Sequence, residues 1–428
     1  MIDMKSDEHQ RKNMTEFGTK IASHSILKEI KNGCQNNLVI SPLSLHIALN
    51  MLASASTGRT LKQLLQFLKS ESITDLTAQS SRLAGLATSD VGADGANLGP
   101  IVSLANGIWV NDGFPVKPSF KQLAEDVYKA KAQSFDFLNQ GEQVRDEINS
   151  WAREASKGHI NLLLPRNFFK EDAIAVLANA IYFNAKWVLM FDASRTKDED
   201  FHLLNGQTVK VPFMKMPSTT NYYGSFERFK LLKMDYRNGR TLAIKYAMYI
   251  FLPHEKDGLQ ELVEMFHSDP RSLLENREVR YIILDDVWLP KLKYGYELNA
   301  DETMKELGLD LPFDENEAEI TEMVESREVV CLSKAIQKSY MEIDEQGTSA
   351  TAISAVGIRR GCRISMTPPP PRPCFIADHP FLFMIKEDVS DIILFVGAAL
   401  NPSSEKGAGK KRKRKADGKK KLKHRTKQ

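Results

Sequence analysis

The sequence predicts an α+β fold organised on a large mixed sheet: helical periodicity is confined to the first 155 residues, short β-rich runs fill most of the rest, and no polar linker divides residues 15 to 402. Residues 15 to 30 and 42 to 68 read as helices. In the second stretch Leu43, Ile47, Met51 and Leu52, then Leu61, Leu64, Leu65 and Leu68, recur at three and four spacing, with Gly58 and Thr60 dividing it in two. A further helix is expected over 143 to 155, where Val144, Ile148, Trp151, Ala152 and Ala155 form one stripe opposite Arg145, Glu147 and Arg153. Gly158 is its expected stop. Strands are expected in 175 to 183, 246 to 252, 279 to 289, 328 to 344 and 380 to 400. No internal repeat occurs.

A chain of 428 residues with 42% hydrophobic and 26% charged side chains has enough apolar surface for a substantial core, which excludes disorder throughout. The expected organisation is a polar extension over 1–14, one large domain over 15–402 and a disordered basic tail over 403–428. That tail holds 13 Lys/Arg against Glu405 and Asp417, a local +11 within a total of +3, which leaves the body at −8. A mildly acidic body argues against a domain that itself grips nucleic acid. The first 14 residues lack the apolar stretch of a secretory signal, and no run of 18 apolar residues is present, so a protein that is neither secreted nor membrane-spanning is expected. Cys34, Cys331, Cys362 and Cys374 show no metal-ligand spacing and are expected to be free thiols. The Asn13-Met14-Thr15 sequon is expected to stay unmodified.

Enzyme signatures are missing: no Gly-x-Ser-x-Gly, HExxH, phosphate loop or dinucleotide fingerprint is found. Ser25 and Lys28 match a Ser-x-x-Lys spacing but stand alone on an amphipathic helix. Asp314 to Glu319 lacks the glycine and terminal glutamate of a calcium loop, and His379 sits in an apolar hairpin where a structural role is expected. No catalytic residue, metal or cofactor is assigned.

The informative segment runs from Glu345 to Cys362. Small residues dominate it, and charge is almost absent from Gly347 to Ile358 before Arg359, Arg360 and Arg363 appear. Thr348, Ala350, Ala352 and Ser354 would share one face of a strand, with Ser349, Thr351, Ile353 and Ala355 opposite. Such a stretch suits two environments, a solvated loop and a strand slid over a packed core. Pro368 to Pro373 should be extended.

With these residues the chain resembles the serpins, and the plant serpin-Z group most closely, from about residue 15 to residue 402. Glu345-x-Gly347-Thr348 with the Ala-rich run is similar to that family's hinge, which takes in Ser349, Ala350, Thr351 and Ala352. Asn37-x-x-x-Ser41-Pro42-x-Ser44 is similar to its shutter helix, and Asn179-Ala-x-Tyr-Phe-x-x-x-Trp187 to its central strand and breach. Leu289-Pro290-Lys291, Leu307-Gly308-Leu309, Asp378-His379-Pro380-Phe381 and Leu394-Phe395-x-Gly397 follow in family order. The resemblance implies about nine helices, a large mixed main sheet with further sheets, and an exposed reactive loop over 345–374. It also implies that a protease cuts that loop and is trapped as the freed strand inserts into the main sheet. Gln337 stands where family members usually have His, and Thr351 and Ile353 replace alanines.

Counting seventeen residues from Glu345 ends on Gly361, whereas a shift of one gives Arg360, so the reactive bond is assigned to Arg360-Gly361 with Arg363-Ile364 as the fallback and Cys362 between them. The implied partner is a trypsin-like serine protease or a papain-like or metacaspase-like cysteine protease, met by a monomer. Lys410, Lys411, Arg412, Lys413, Arg414 and Lys415, with Lys419, Lys420 and Lys421, have the form of a two-cluster nuclear import signal. They imply an import receptor and a cytoplasmic and nuclear location. The competing readings are a non-inhibitory serpin, cleaved as a substrate and acting as a scaffold, and a nuclear nucleic-acid-associated protein acting through the tail.

Overall fold

A computed structural model of the chain describes residues 4–33, 36–84, 89–91, 97–238, 244–269, 278–348 and 371–404. Among these residues eight α-helices are present: α1 (Met4–Lys31), α2 (Pro42–Ser54), α3 (Gly58–Leu68), α4 (Ile73–Ala84), α5 (Pro118–Asp126), α6 (Phe137–Ala155), α7 (Leu259–Ser268) and α8 (Ala300–Glu306). The strands are β1 (Leu38–Ile40), β2 (Ser89–Val91), β3 (Asn97–Asn111), β4 (Lys131–Phe135), β5 (Ala175–Lys186), β6 (Lys197–His202), β7 (Thr208–Ser225), β8 (Phe229–Asp235), β9 (Tyr246–Pro253), β10 (Arg280–Pro290), β11 (Leu292–Asn299), β12 (Leu332–Ile343), β13 (Gly347–Thr348), β14 (Phe375–Ile376), β15 (Phe381–Glu387) and β16 (Ile392–Ala399).

The strands form two sheets. The main sheet runs β11-β12-β13-β5-β3-β2 with β4 added on β3, and the second runs β1-β16-β15-β9-β8-β7-β10-β14 with β6 added on β7. Helix α1 begins at Met4, so the helix expected over 15 to 30 extends back through residues 4–14. Asn13 Nδ2 donates to the carbonyl of Lys69 (2.7 Å), which ties that first stretch to the end of α3.

Helix α2 is buried along Pro42–Ala53 and lies inside the main core, with Ser44, His46 and Asn50 buried among its apolar side chains. Ser41 caps it, its hydroxyl accepting from the Ser44 N–H (3.3 Å), and Pro42 occupies the first turn, where no amide donor is needed. The main core fills the space between the inner face of the main sheet and the second sheet. A smaller core lies on the outer face, where Val144, Ile148 and Ala152 of α6 cover Ala178, Ala180 and Ile336. Burying side chains such as Val144 and Ile148 is worth roughly 1.5–3 kcal/mol each. Trp109 and Trp151 close that layer edge to face, 4.9 Å apart.

Candidate functional site

At the centre of the main sheet β5 and β12 pair directly and in parallel, from Leu332 opposite Ala175 to Tyr340 opposite Tyr182. Beyond Tyr340 the two strands part. The two-residue strand β13 fills the gap, antiparallel to both, with Thr348 opposite Ile343 on one side and Ala185 on the other. Different residues hold the two ends of this seam.

At the upper end the Asp344 carboxylate accepts from the N–H groups of Gln346 (2.9 Å) and Gly347 (3.2 Å) and folds the chain back into the gap. Gly347 lies at φ 153°, and a Cβ there would fall 2.0 Å from the Ala185 carbonyl oxygen, so only glycine admits this approach. Thr348 is fully buried, and its hydroxyl hydrogen-bonds the Tyr236 hydroxyl (2.8 Å). Tyr236 stacks on Trp187, with ring centroids 4.4 Å apart and planes at 13°. Trp187 binds the returning chain twice: its indole N–H donates to the Asp344 carbonyl (3.1 Å) and its amide to that of Gln346 (2.7 Å). The Phe191 amide donates to the Glu345 carbonyl (2.8 Å). The Glu345 carboxylate accepts from Lys291 Nζ (2.7 Å) and Thr196 Oγ1 (2.6 Å). Burial pushes the Glu345 carboxyl up, but the bonds from Lys291 and Thr196 outweigh it and hold the group below the usual carboxylate range. Asp344 goes the other way, raised chiefly by burial despite its two amide donors.

Lower on the seam Gln337 faces Asn179 in register. Its Oε1 accepts the Ser41 N–H (2.8 Å), and its Nε2 donates to the Ser41 carbonyl (2.9 Å), Ser44 Oγ (3.0 Å) and Asn179 Oδ1 (3.0 Å). Ser44 Oγ also donates to Asn179 Oδ1 (2.5 Å), and Asn179 Nδ2 donates to Asn106 Oδ1 (2.5 Å). A neutral, fully buried network thus fastens β5, β12, β3 and the start of α2 to one another.

The structure brings Ser41, Ser44, Asn179 and Gln337 together, and Trp187 with Glu345, Gly347 and Thr348. Asn37 belongs to neither group and is corrected here. Its side chain accepts from the Leu400 and Asn401 amides (both 2.8 Å) and donates to the Asn401 carbonyl (2.8 Å), fastening β1 to the end of β16. Tyr236, Lys291 and Thr196 had no assigned role in the sequence, and only the Leu-Pro-Lys motif held a trace of Lys291. Ser349, Ala350, Thr351 and Ala352, the bonds from Arg360 to Ile364, and Lys410 to Lys421 lie outside the described residues.

The discounted features have structural partners. Ser25 Oγ donates to the Ile21 carbonyl (2.9 Å) while Lys28 pairs with Glu306 (2.6 Å). His379 is held between Asp378 (2.7 Å) and the Pro253 carbonyl (2.9 Å). The Glu319 carboxylate accepts from the Thr60 amide at the start of α3 (3.3 Å). Among the described residues no group of His, Cys, Asp and Glu is arranged to hold a metal, and no helix is long and apolar enough to cross a membrane. Cys331 and Cys374 are free thiols.

A family model described as Serpin (serine protease inhibitor) matches residues 12–402. The chain belongs to the serpin family. This serpin is 37% identical over 399 residues to Serpin-Z3 of Arabidopsis thaliana, covering 91% of this chain and 97% of that relative. It is 38% identical over 373 residues to Serpin-ZXA of Oryza sativa subsp. japonica, covering 86% and 91%. Among solved structures it is similar to Arabidopsis AtSerpin1 in its native stressed conformation, with a TM-score of 0.80 and 32% identity over 92% of this chain and 98% of that one. Serpin48 of the insect Tenebrio molitor shares the fold at a TM-score of 0.79 and 24% identity, over 94% and 99% of the two chains. Serpin-type protease inhibition is therefore the general activity to which this seam belongs; the family blocks proteases and is not a class of enzymes.

Proposed function

We propose that this serpin traps Arg-directed serine or cysteine proteases, which cut the loop at Arg360-Gly361 and are captured as residues 349 onward follow Thr348 into the seam. The observation that carries this reading is that β13 already stands between β5 and β12 with Thr348 buried on the inner face. Carried forward in the same register, Thr351 falls between Tyr182 and Tyr340, and Ser354 between Asn179 and Gln337. Ala350, Ala352 and Ser354 then occupy the inner face with Thr348, and none of them brings bulk or charge into the core. Inserting about 15 residues turns solvated amides into ladder bonds worth about 1 kcal/mol each, so on the order of 10 kcal/mol is released. That equals the stability of a whole domain and is enough to distort an attached enzyme. We place the protein in the cytosol and, through the two basic clusters of its tail, in the nucleus, where deletion of 403–428 would remove it.

Incubation with trypsin tests the inhibitor reading. The expected result is an SDS-stable complex, with loop-cleaved protein melting well above the intact form and cleavage located at Arg360 by mass spectrometry. Simple proteolysis with no gain in melting temperature overturns it in favour of a non-inhibitory serpin.

A further inference from the structure

We propose that His159 clasps the seam at the point where it must next open, and so sets how captured protease is divided between trapping and release. Tyr182 and Tyr340 are the last directly paired residues of β5 and β12 before the gap that β13 occupies. They lie on the outer face, in line with Ala178, Ala180 and Ile336 beneath α6. Past the end of α6, Lys157 (φ 53°) and Gly158 (φ 89°) turn the chain back across the sheet. The His159 amide donates to the Ser156 carbonyl (3.1 Å), and the Ile160 amide to Ser156 Oγ (2.8 Å), which fix the backbone that carries the imidazole. That ring stacks on Tyr182 (4.5 Å, 12°) and lies tilted against Tyr340 (4.8 Å, 31°) at the same time. The same segment is tied to both sides of the seam by its neighbours: Ser103 Oγ of β3 donates to the Ala155 carbonyl (2.6 Å), and Lys338 Nζ of β12 donates to that of Leu162.

Admitting one strand moves β5 and β12 apart from about 4.8 Å to about twice that spacing. One imidazole cannot then keep its present 4.5 and 4.8 Å distances to the two tyrosines, which together fall short of that doubled spacing. In the register already set by Thr348, Thr351 arrives at this position, three residues into insertion. Insertion competes with release of the cut loop from the protease, so the ring that delays the strand also decides that competition. This rests on the inhibitor reading above.

The groups facing His159 are Tyr182 from β5, Tyr340 and Glu342 from β12, and Lys293 from β11. Burial lowers its proton affinity, Glu342 raises it and Lys293 lowers it, with a net shift below the usual histidine value. Opening returns the ring to water and an ordinary pKa of about 6.5. Protonation therefore favours the open seam, and acidification through that range speeds insertion.

The test follows a synthetic peptide of residues 349–358 annealing to the intact full-length protein, read by native gel and by the rise in melting temperature. His159→Ala is expected to anneal about fivefold faster, the worth of a lost ring pair, while His159→Phe stays near wild type. Between pH 7.5 and 5.5 the wild-type rate should climb and that of His159→Phe stay flat, a pattern that a merely structural role would not produce. Equal rates for wild type and His159→Ala, parallel pH profiles, or no annealing to any of the three proteins overturns the clasp. Loss of SDS-stable complexes with the annealing differences intact would instead count against the inhibitor reading alone.

Discussion

The two ends of the seam are held by opposite chemistry. At the top the strands already stand apart, and the returning chain is fixed by an ion pair between Lys291 and Glu345, by backbone bonds to Trp187 and Phe191, and by the stacked Trp187–Tyr236 pair. Lower down they are in direct contact, joined by a neutral network in which Gln337 binds Ser41, Ser44 and Asn179 without a charge or a path to water. An open end can tolerate charge because Lys291 remains partly solvated, whereas a charge in the closed region would be buried without a partner at a cost of several kcal/mol. The difference teaches that the sheet is prepared for invasion at one end and guarded against it at the other.

Three substitutions separate these ends. The largest effect is expected from Thr348→Arg, which forces a cation into a fully buried position beside the Tyr236 hydroxyl. Densitometry of trypsin reactions should show the SDS-stable complex reduced at least about tenfold, since a penalty of 1.4 kcal/mol already shifts a ratio that far. An unchanged yield would mean that insertion does not proceed through this gap. Next comes Gln337→Ala, which orphans the buried Ser41 N–H at about 1–3 kcal/mol and takes one hydrogen bond each from the Ser41 carbonyl, Ser44 and Asn179. Denaturant unfolding of the intact protein should lose roughly 3 kcal/mol, and the opened, cleaved form should lose less. Equal losses in the two forms would remove the closed end's special status.

The smallest effect is expected from Glu345→Gln. A carboxyl held below its ordinary value stabilises the fold above about pH 4.3, the unfolded value, and that contribution disappears as pH falls through the lowered one. The wild type should therefore lose more stability than Glu345→Gln on acidification below about pH 4. Superimposable curves would show that the ion pair with Lys291 does not anchor the hinge.

Much of this was legible in advance. The apolar runs of β5, β9, β15 and β16 announced themselves because strands covered on both faces read as continuous hydrophobic stretches. Strand β7 did not, because its burial alternates and it carries Lys210, Pro212, Lys215 and Pro217, residues that argue locally against a strand. The hinge residues Gly347 and Thr348 could be named from composition and motif. Their partner Tyr236 could not, since it meets Thr348 across 112 residues of chain and carries no pattern of its own. Asn37 shows the converse hazard: adjacency to the Ser41 motif suggested a shared role, and the pairing of β1 with β16 instead sets it beside Leu400 and Asn401.

The two residues of β13 have an effect out of proportion to their number. Antiparallel pairing has a period of two, so the matched pairs of β13, two on β5 and one on β12, set the register that the proposed insertion would follow. The chain behaves like a zip whose first tooth is engaged before the slider moves. In the proposed trap, alignment is settled while the molecule waits, and cleavage has only to supply the length.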